Sequence, residues 1–176
     1  MVTGGSRGIG RAIVERLAAA GATVLTCSRR RDARAVHLPD TVGWRRCDVA
    51  DSAEVEALRE YVEKNFGAAT ILVNNAGVQV EKTVTDSDDA DWDAVVGANC
   101  RGVFNCCRAF IPGMEAAGGG AIVNIGSISG VVADRAWRST MHRKRSCTAD
   151  PLDRDRSWPN SALQCDPAWL DHDRHG

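Results

Sequence analysis

Along the first 133 residues, short runs rich in β-branched side chains alternate with stretches of helical periodicity, the pattern of a parallel sheet covered by helices. Met1-Val2-Thr3 reads as the stub of a first strand. Ile9, Ile13 and Leu17 recur every four residues, which predicts a helix over 10–20 with that stripe inward, ended by Gly21. Residues 23–27 read as a second strand and 43–47 as a weaker third, ended by Asp48. Asp51-Ser52-Ala53-Glu54 resembles a capping box, and Val55, Leu58, Val62 and Phe66 line one face of the helix that follows. Residues 71–74 form a fourth strand. A long helix is predicted over 89–117, bent near Pro112, with Val95, Val96, Val103, Cys107 and Ile111 inward. Residues 121–125 form the fifth strand. Right-handed crossovers then give an α/β fold with an incomplete, doubly wound parallel sheet of about five strands. Its ligand crevice lies beyond the carboxyl ends of those strands.

The pattern stops at residue 133. From Asp134 to Gly176 there is no Val, Ile, Phe or Glu, while three of the five Trp and three of the five Pro fall there. Without β-branched residues this segment supplies no buried strand, and its Pro and Asp spacing breaks any long helix. A poorly ordered tail is expected. Asp171-His172-Asp173-Arg174-His175 has the form of a metal-binding run, but nothing anchors it to the fold; it reads as solvated tail, and no metal site is assigned.

Whole-chain composition adds exclusions. Of the 176 residues, 44% are hydrophobic and 26% charged, with a formal net charge of -1, so no general electrostatic attraction to nucleic acid is expected. The seven cysteines are odd in number and none are spaced C-x-x-C, which fits reduced thiols and a cytoplasmic location. Arg7 and Arg11 have no apolar segment between them, so no secretory signal is read. The charge-free run 116–133 carries five glycines, and no membrane partner is expected.

The chemistry begins between the first strand and first helix, at Thr3-Gly4-Gly5-Ser6-Arg7-Gly8-Ile9-Gly10. Glycines let a backbone approach a pyrophosphate, and the unpaired N–H groups of a helix start carry partial positive charge toward it. The spacing departs from G-x-G-x-x-G, and a flexible turn is the alternative. With Asn74-Asn75-Ala76-Gly77 after the fourth strand, Asn99, Gly102 and Phe104 in the long helix, and Ile125-Gly126-Ser127-Ile128-Ser129-Gly130 after the fifth, the chain resembles the short-chain dehydrogenase/reductase family over residues 1–133. The resemblance implies a partial Rossmann-like NAD(P)-binding domain over 1–133 and a C-terminal truncation. It leaves 134–176 as a non-family segment, disordered or an out-of-frame continuation of a longer reductase.

In that family a residue after the second strand discriminates the two nicotinamide dinucleotides, an Asp there repelling a 2′-phosphate. Here the strand is followed by Ser28-Arg29-Arg30-Arg31, and Arg7 sits in the glycine loop. Two guanidiniums can clamp a 2′-phosphate, so NADP is expected over NAD, read by Arg7, Ser28 and Arg29. The alternative is a solvated basic turn. By the same resemblance Asp48 and Val49 flank the adenine, and Asn75, Ala76 and Gly77 run beneath the cofactor; Asp48 as a simple strand cap is the alternative. Trp92 and Phe104 read as core or subunit-contact aromatics rather than cofactor stackers.

The resemblance implies hydride transfer between nicotinamide and a small-molecule carbonyl or secondary alcohol, with Ser127 on the carbonyl oxygen, Asn99 ordering a water in the proton path, and Lys144 at the family's lysine position. For Lys144 the alternative is a solvated basic triplet, Arg143-Lys144-Arg145. The tyrosine position is occupied by Thr140, and the one tyrosine, Tyr61, lies in the wrong helix. A phenol has a reference pKa near 10, whereas an alkyl hydroxyl lies several units higher. General acid catalysis is therefore expected to fail, which makes an inactive oxidoreductase or a non-catalytic dinucleotide-binding fragment the two expectations. Homo-oligomerisation is expected to be weaker than in the family, because the helix that follows the long one in sequence is missing. The fifth strand is expected at an exposed edge.

Overall fold

The computed structural model of the chain describes residues 1–29 and 38–127. The predicted tail, Thr140 and Lys144 lie outside the described residues.

The described chain runs β1 (Val2–Thr3), α1 (Gly8–Ala19), β2 (Val24–Ser28), β3 (Val42–Arg46), α2 (Ser52–Phe66), β4 (Ile71–Asn74), α3 (Asp89–Val96), a π-helical turn (Gly97–Arg101), α4 (Gly102–Ala116) and β5 (Ala121–Asn124). All strand pairs are parallel, in the order β3-β2-β1-β4-β5. The chain thus winds outward in one direction from β1 to β3, then reverses to β4. The crevice where the order reverses, between β1 and β4, is where open sheets of this kind take ligands.

Two cores cover the two sheet faces. One joins Leu25, Cys27, Val49, Leu72 and Phe110 with the inner faces of α2 and α4; the other joins Val2, Val24, Val42 and Val73 with Val14 of α1. Continuous apolar strands such as β2, buried at four successive positions, are what a sheet covered on both sides requires.

The structure rotates two of the predicted helix faces. On α1 the buried residues are Gly10 and Val14, whereas Ile9 is 66% exposed and Ile13 and Leu17 are half-buried. A glycine marks the line of closest approach, and hydrophobicity alone misses it. The long helix is interrupted at Gly97–Arg101 and α4 continues through Pro112. The widened π turn shifts the following residues around the axis, so Asn105, Cys106, Ala109, Phe110 and Met114 are buried instead of Val103, Cys107 and Ile111. Trp92 and Phe104, each 58% exposed, are not core residues. Phe66 is exposed at the last turn of α2.

The capping box at α2 forms by half. Asp51 accepts the N–H groups of Ala53 and Glu54, but the Glu54 carboxylate turns outward, accepting the Asp48 N–H at 2.7 Å and the Arg46 guanidinium at 2.8 Å. Those two donors, the backbone N–H first, hold the Glu54 carboxyl below its ordinary range. A depressed carboxyl stabilises the fold above its unfolded pKa near 4.3, and that contribution is lost as pH falls through the lower folded value. Glu54→Gln is expected to cost about 1 kcal/mol at pH 7, discounted for its partial exposure, with the difference from the parent shrinking below pH ~4. Urea midpoints of both proteins from pH 7 to pH 3.5 measure it; a gap independent of pH would refute the assignment.

Candidate functional site: a dinucleotide cleft

Two buried threonine hydroxyls set the geometry of the glycine loop. Thr26 Oγ1 donates to Val2 O at 2.8 Å and accepts the Gly5 N–H at 2.9 Å, pulling the loop onto β2. Thr3 Oγ1 accepts the N–H groups of Asn75 and Ala76 at 3.0 and 2.9 Å, which fixes the turn after β4 beside it. The Asn75 amide then donates to Thr3 O and Gly4 O at 3.0 and 3.2 Å, so the loops after β1 and β4 are tied as one unit. A Cβ on Gly5 would overlap Thr26 Oγ1, and one on Gly10 would overlap Asn75 Nδ2 and the Gly4 carbonyl. Gly5 therefore serves the approach of loop to sheet and does not line the cleft.

Beyond these strand ends lies an open cleft of about 610 Å³. Its walls include the glycine loop (Gly4, Ser6, Arg7, Gly8, Ile9, Gly10), the end of β2 (Ser28, Arg29), the turn after β3 (Asp48, Val49) and the turn after β4 (Asn75, Ala76, Gly77). The predicted inward face of Ile9 is thus corrected: the residue is exposed and belongs to the cleft wall. Cys27, Cys47, Val78, Gln79 and Ala98 complete the lining and were not singled out from sequence. Only the buried strand ends could have pointed to the cysteines.

The start of α1 fits an anion. Arg7 holds the N-cap position in extended conformation with no side-chain cap, and no acid stands in the first turn. Gly8, at φ +55°, has open space where a Cβ would stand. Uncapped N–H groups and the helix dipole therefore stand at the cleft, whose lining also includes Arg7 and Arg29. The one acid in the wall, Asp48, has a carboxylate oxygen engaged by the Ala50 N–H at 3.0 Å, so the strand-cap alternative and the cleft position hold together.

Two cysteines, Cys27 and Cys47, line the cleft at the strand ends. Cys27 has its thiol pushed well up by the neighbouring Cys47 sulfur and by burial, and burial pushes Cys106, in the core behind it, up to about 12. Both remain protonated thiols at neutral pH, not nucleophiles.

The residues expected to carry chemistry are not gathered in the same way. Asn99 sits in the π turn, 4% exposed, with Oδ1 accepting the Val78 N–H and Nδ2 donating to Val78 O, both at 2.9 Å. Its side chain ties the π turn to Val78 in the cleft wall. Ser127 follows β5, exposed and outside the cleft lining. Tyr61 lies on α2 with the Arg45 guanidinium 3.6 Å over its ring, also outside the cleft. Among the described residues no cluster of His, Cys, Asp and Glu suits a metal, and no helix is long and apolar enough to cross a membrane.

Known proteins share this sequence and fold. The chain is 39% identical over 138 residues to a 3beta-hydroxysteroid dehydrogenase of Mediterraneibacter gnavus, covering 74% of this chain and 50% of that protein. It is 38% identical over 160 residues to a galactitol 2-dehydrogenase of Rhizobium johnstonii, covering 88% and 62%. A crystal structure of a short-chain dehydrogenase from Streptomyces avermitilis superposes with a TM-score of 0.69 at 31% identity, covering 75% of this chain and 50% of that one. The chain spans about half to three-fifths of the length of these relatives. The family profile described as short chain dehydrogenase matches residues 1–139, past the 133 at which the sequence pattern stops. The chain belongs to the short-chain dehydrogenase family of oxidoreductases.

Proposed function

We propose that the cleft binds NADP in preference to NAD, and that this chain is an oxidoreductase of its family without turnover of its own. The observation that supports the preference is that Arg7, Arg29 and Ser28, the last residue of β2, line one cleft, where a 2′-phosphate would meet two guanidiniums and a hydroxyl. The dinucleotide supplies the hydride that passes to a carbonyl, or accepts it from a secondary alcohol. Both named relatives are dehydrogenases of alcohols, which fits that substrate class.

For the rest of the reaction the chain supplies little. Ser127 is the residue to hydrogen-bond the substrate oxygen, Asn99 holds the cleft wall through Val78, and Lys144 is the residue to steady the ribose. The proton donor is missing, because the one tyrosine of the chain is held on α2. Loss of general acid catalysis alone is worth roughly 10²–10⁴-fold in rate.

Titration of the full chain with NADPH and NADH, followed by nucleotide fluorescence, tests both halves. NADPH is expected to bind at least tenfold more tightly, Arg29→Asp is expected to remove that preference, and a panel of aldehydes and ketones is expected to show no NADPH oxidation. Equal affinities, or a preference untouched by Arg29→Asp, would refute the NADP assignment. Measurable turnover would refute the inactivity.

A further inference from the structure

Ser28 ends β2 at the cleft, and its hydroxyl is not solvated on all sides. Trp44, in the middle of β3, reaches diagonally across the two paired strands and places its indole Nε1 2.9 Å from Ser28 Oγ. Trp44 is itself outside the cleft lining and Ser28 is within it.

We propose that Trp44 is a positioning residue for cofactor choice: its N–H fixes the Ser28 hydroxyl as a hydrogen-bond donor aimed at an anionic 2′-substituent. The inference rests on the NADP reading above and deepens it. An indole N–H can only donate, so Ser28 Oγ must accept from it. One oxygen lone pair is then occupied, and the hydroxyl hydrogen remains for the ligand. Accepting a hydrogen bond also polarises the serine O–H, which strengthens its donation to the next acceptor in the chain. That gain is larger for a phosphate oxygen than for a neutral ribose hydroxyl, because bonds to an ionised acceptor are roughly twice as strong. A free serine would rotate and serve either cofactor; a serine held by Trp44 favours the phosphorylated one.

The experiment is a double-mutant cycle on dissociation constants in the full chain. NADPH and NADH are titrated by fluorescence against the parent, Trp44→Phe, Ser28→Ala and the double variant. Trp44→Phe keeps an aromatic ring and removes the N–H. It is expected to lower the NADPH:NADH affinity ratio about fivefold while NADH affinity stays within twofold. Ser28→Ala is expected to lower the ratio at least as much, and adding Trp44→Phe to it is expected to change the ratio no further. Equal loss for both cofactors in Trp44→Phe, a ratio unchanged by it, or independent effects in the double variant would overturn the proposal. If Trp44→Phe does not fold, Ser28→Ala alone decides, and an unchanged ratio there overturns it. A parent without NADPH preference refutes the underlying cofactor reading, an outcome visible before any variant is made.

Discussion

Gly10→Ala is expected to reduce NADPH affinity more than a hundredfold and to destabilise the chain by about 3 kcal/mol. The new Cβ would overlap the Gly4 carbonyl oxygen and Asn75 Nδ2, both part of the tie between the loops after β1 and β4. The first is backbone, and the second is a side-chain end held in place by its bonds to Thr3 O and Gly4 O. Relief requires α1 to lift from the sheet, which exposes Val14, or Gly4 to swing into the cleft, which fills the anion site. Overpacking of this kind costs about 1–3 kcal/mol, and the broken Asn75 bonds add to it. Gly8→Ala, also in the cleft wall, is the control for stability. Its Cβ meets open space, so only the left-handed backbone at φ +55° is strained, at about 1 kcal/mol. Urea unfolding of the two variants separates clash from backbone strain, and NADPH titration of Gly10→Ala reads the loss of the site. If Gly10→Ala binds NADPH within threefold of the parent, the close approach of loop to helix is not what forms the site.

The parts of the site that follow from local rules are legible in the sequence. A glycine cluster between strand and helix, Arg7 within it and Ser28-Arg29 at the next strand end all line one cleft. What escapes is whatever depends on a partner distant in sequence. Thr3 and Thr26 look like ordinary β-branched strand residues, yet their hydroxyls are the ones that tie the loops together. Glu54 fits a capping box by spacing, but Arg46 and the Asp48 N–H compete for its carboxylate and win. The predicted inward face of the long helix fails after Gly97 because a π turn adds residues without changing the hydrophobicity pattern. Asn99 looks like a residue for catalysis, and its two bonds to Val78, far away in sequence, give it a structural role that the sequence does not show.

That structural role makes Asn99 the position of the second large effect. Asn99→Asp is expected to cost about 2–4 kcal/mol at pH 8 and much less near pH 4. In the parent, the amide presents an acceptor to the Val78 N–H and a donor to the Val78 carbonyl, each at 2.9 Å, in a site 4% exposed. A carboxylate keeps the first bond but sets a second oxygen against the carbonyl, leaving that buried acceptor unpaired beside a charge. Protonation restores a donor and copies the amide. The folded pKa of the introduced carboxyl is therefore raised above the unfolded value near 3.9, so no penalty exists below pH ~3.9. It grows by up to about 1.4 kcal/mol per pH unit until the folded pKa is reached. Asn99→Leu loses both bonds at every pH and supplies the flat reference. Since Val78, Gln79 and Ala98 form one wall of the cleft, NADPH affinity is expected to follow the same pH trend in Asn99→Asp and to stay low in Asn99→Leu. Urea midpoints at pH 4, 6 and 8 read the stability directly. A pH-independent loss in Asn99→Asp would mean that the Val78 carbonyl finds another donor, and that the π turn is held by packing alone.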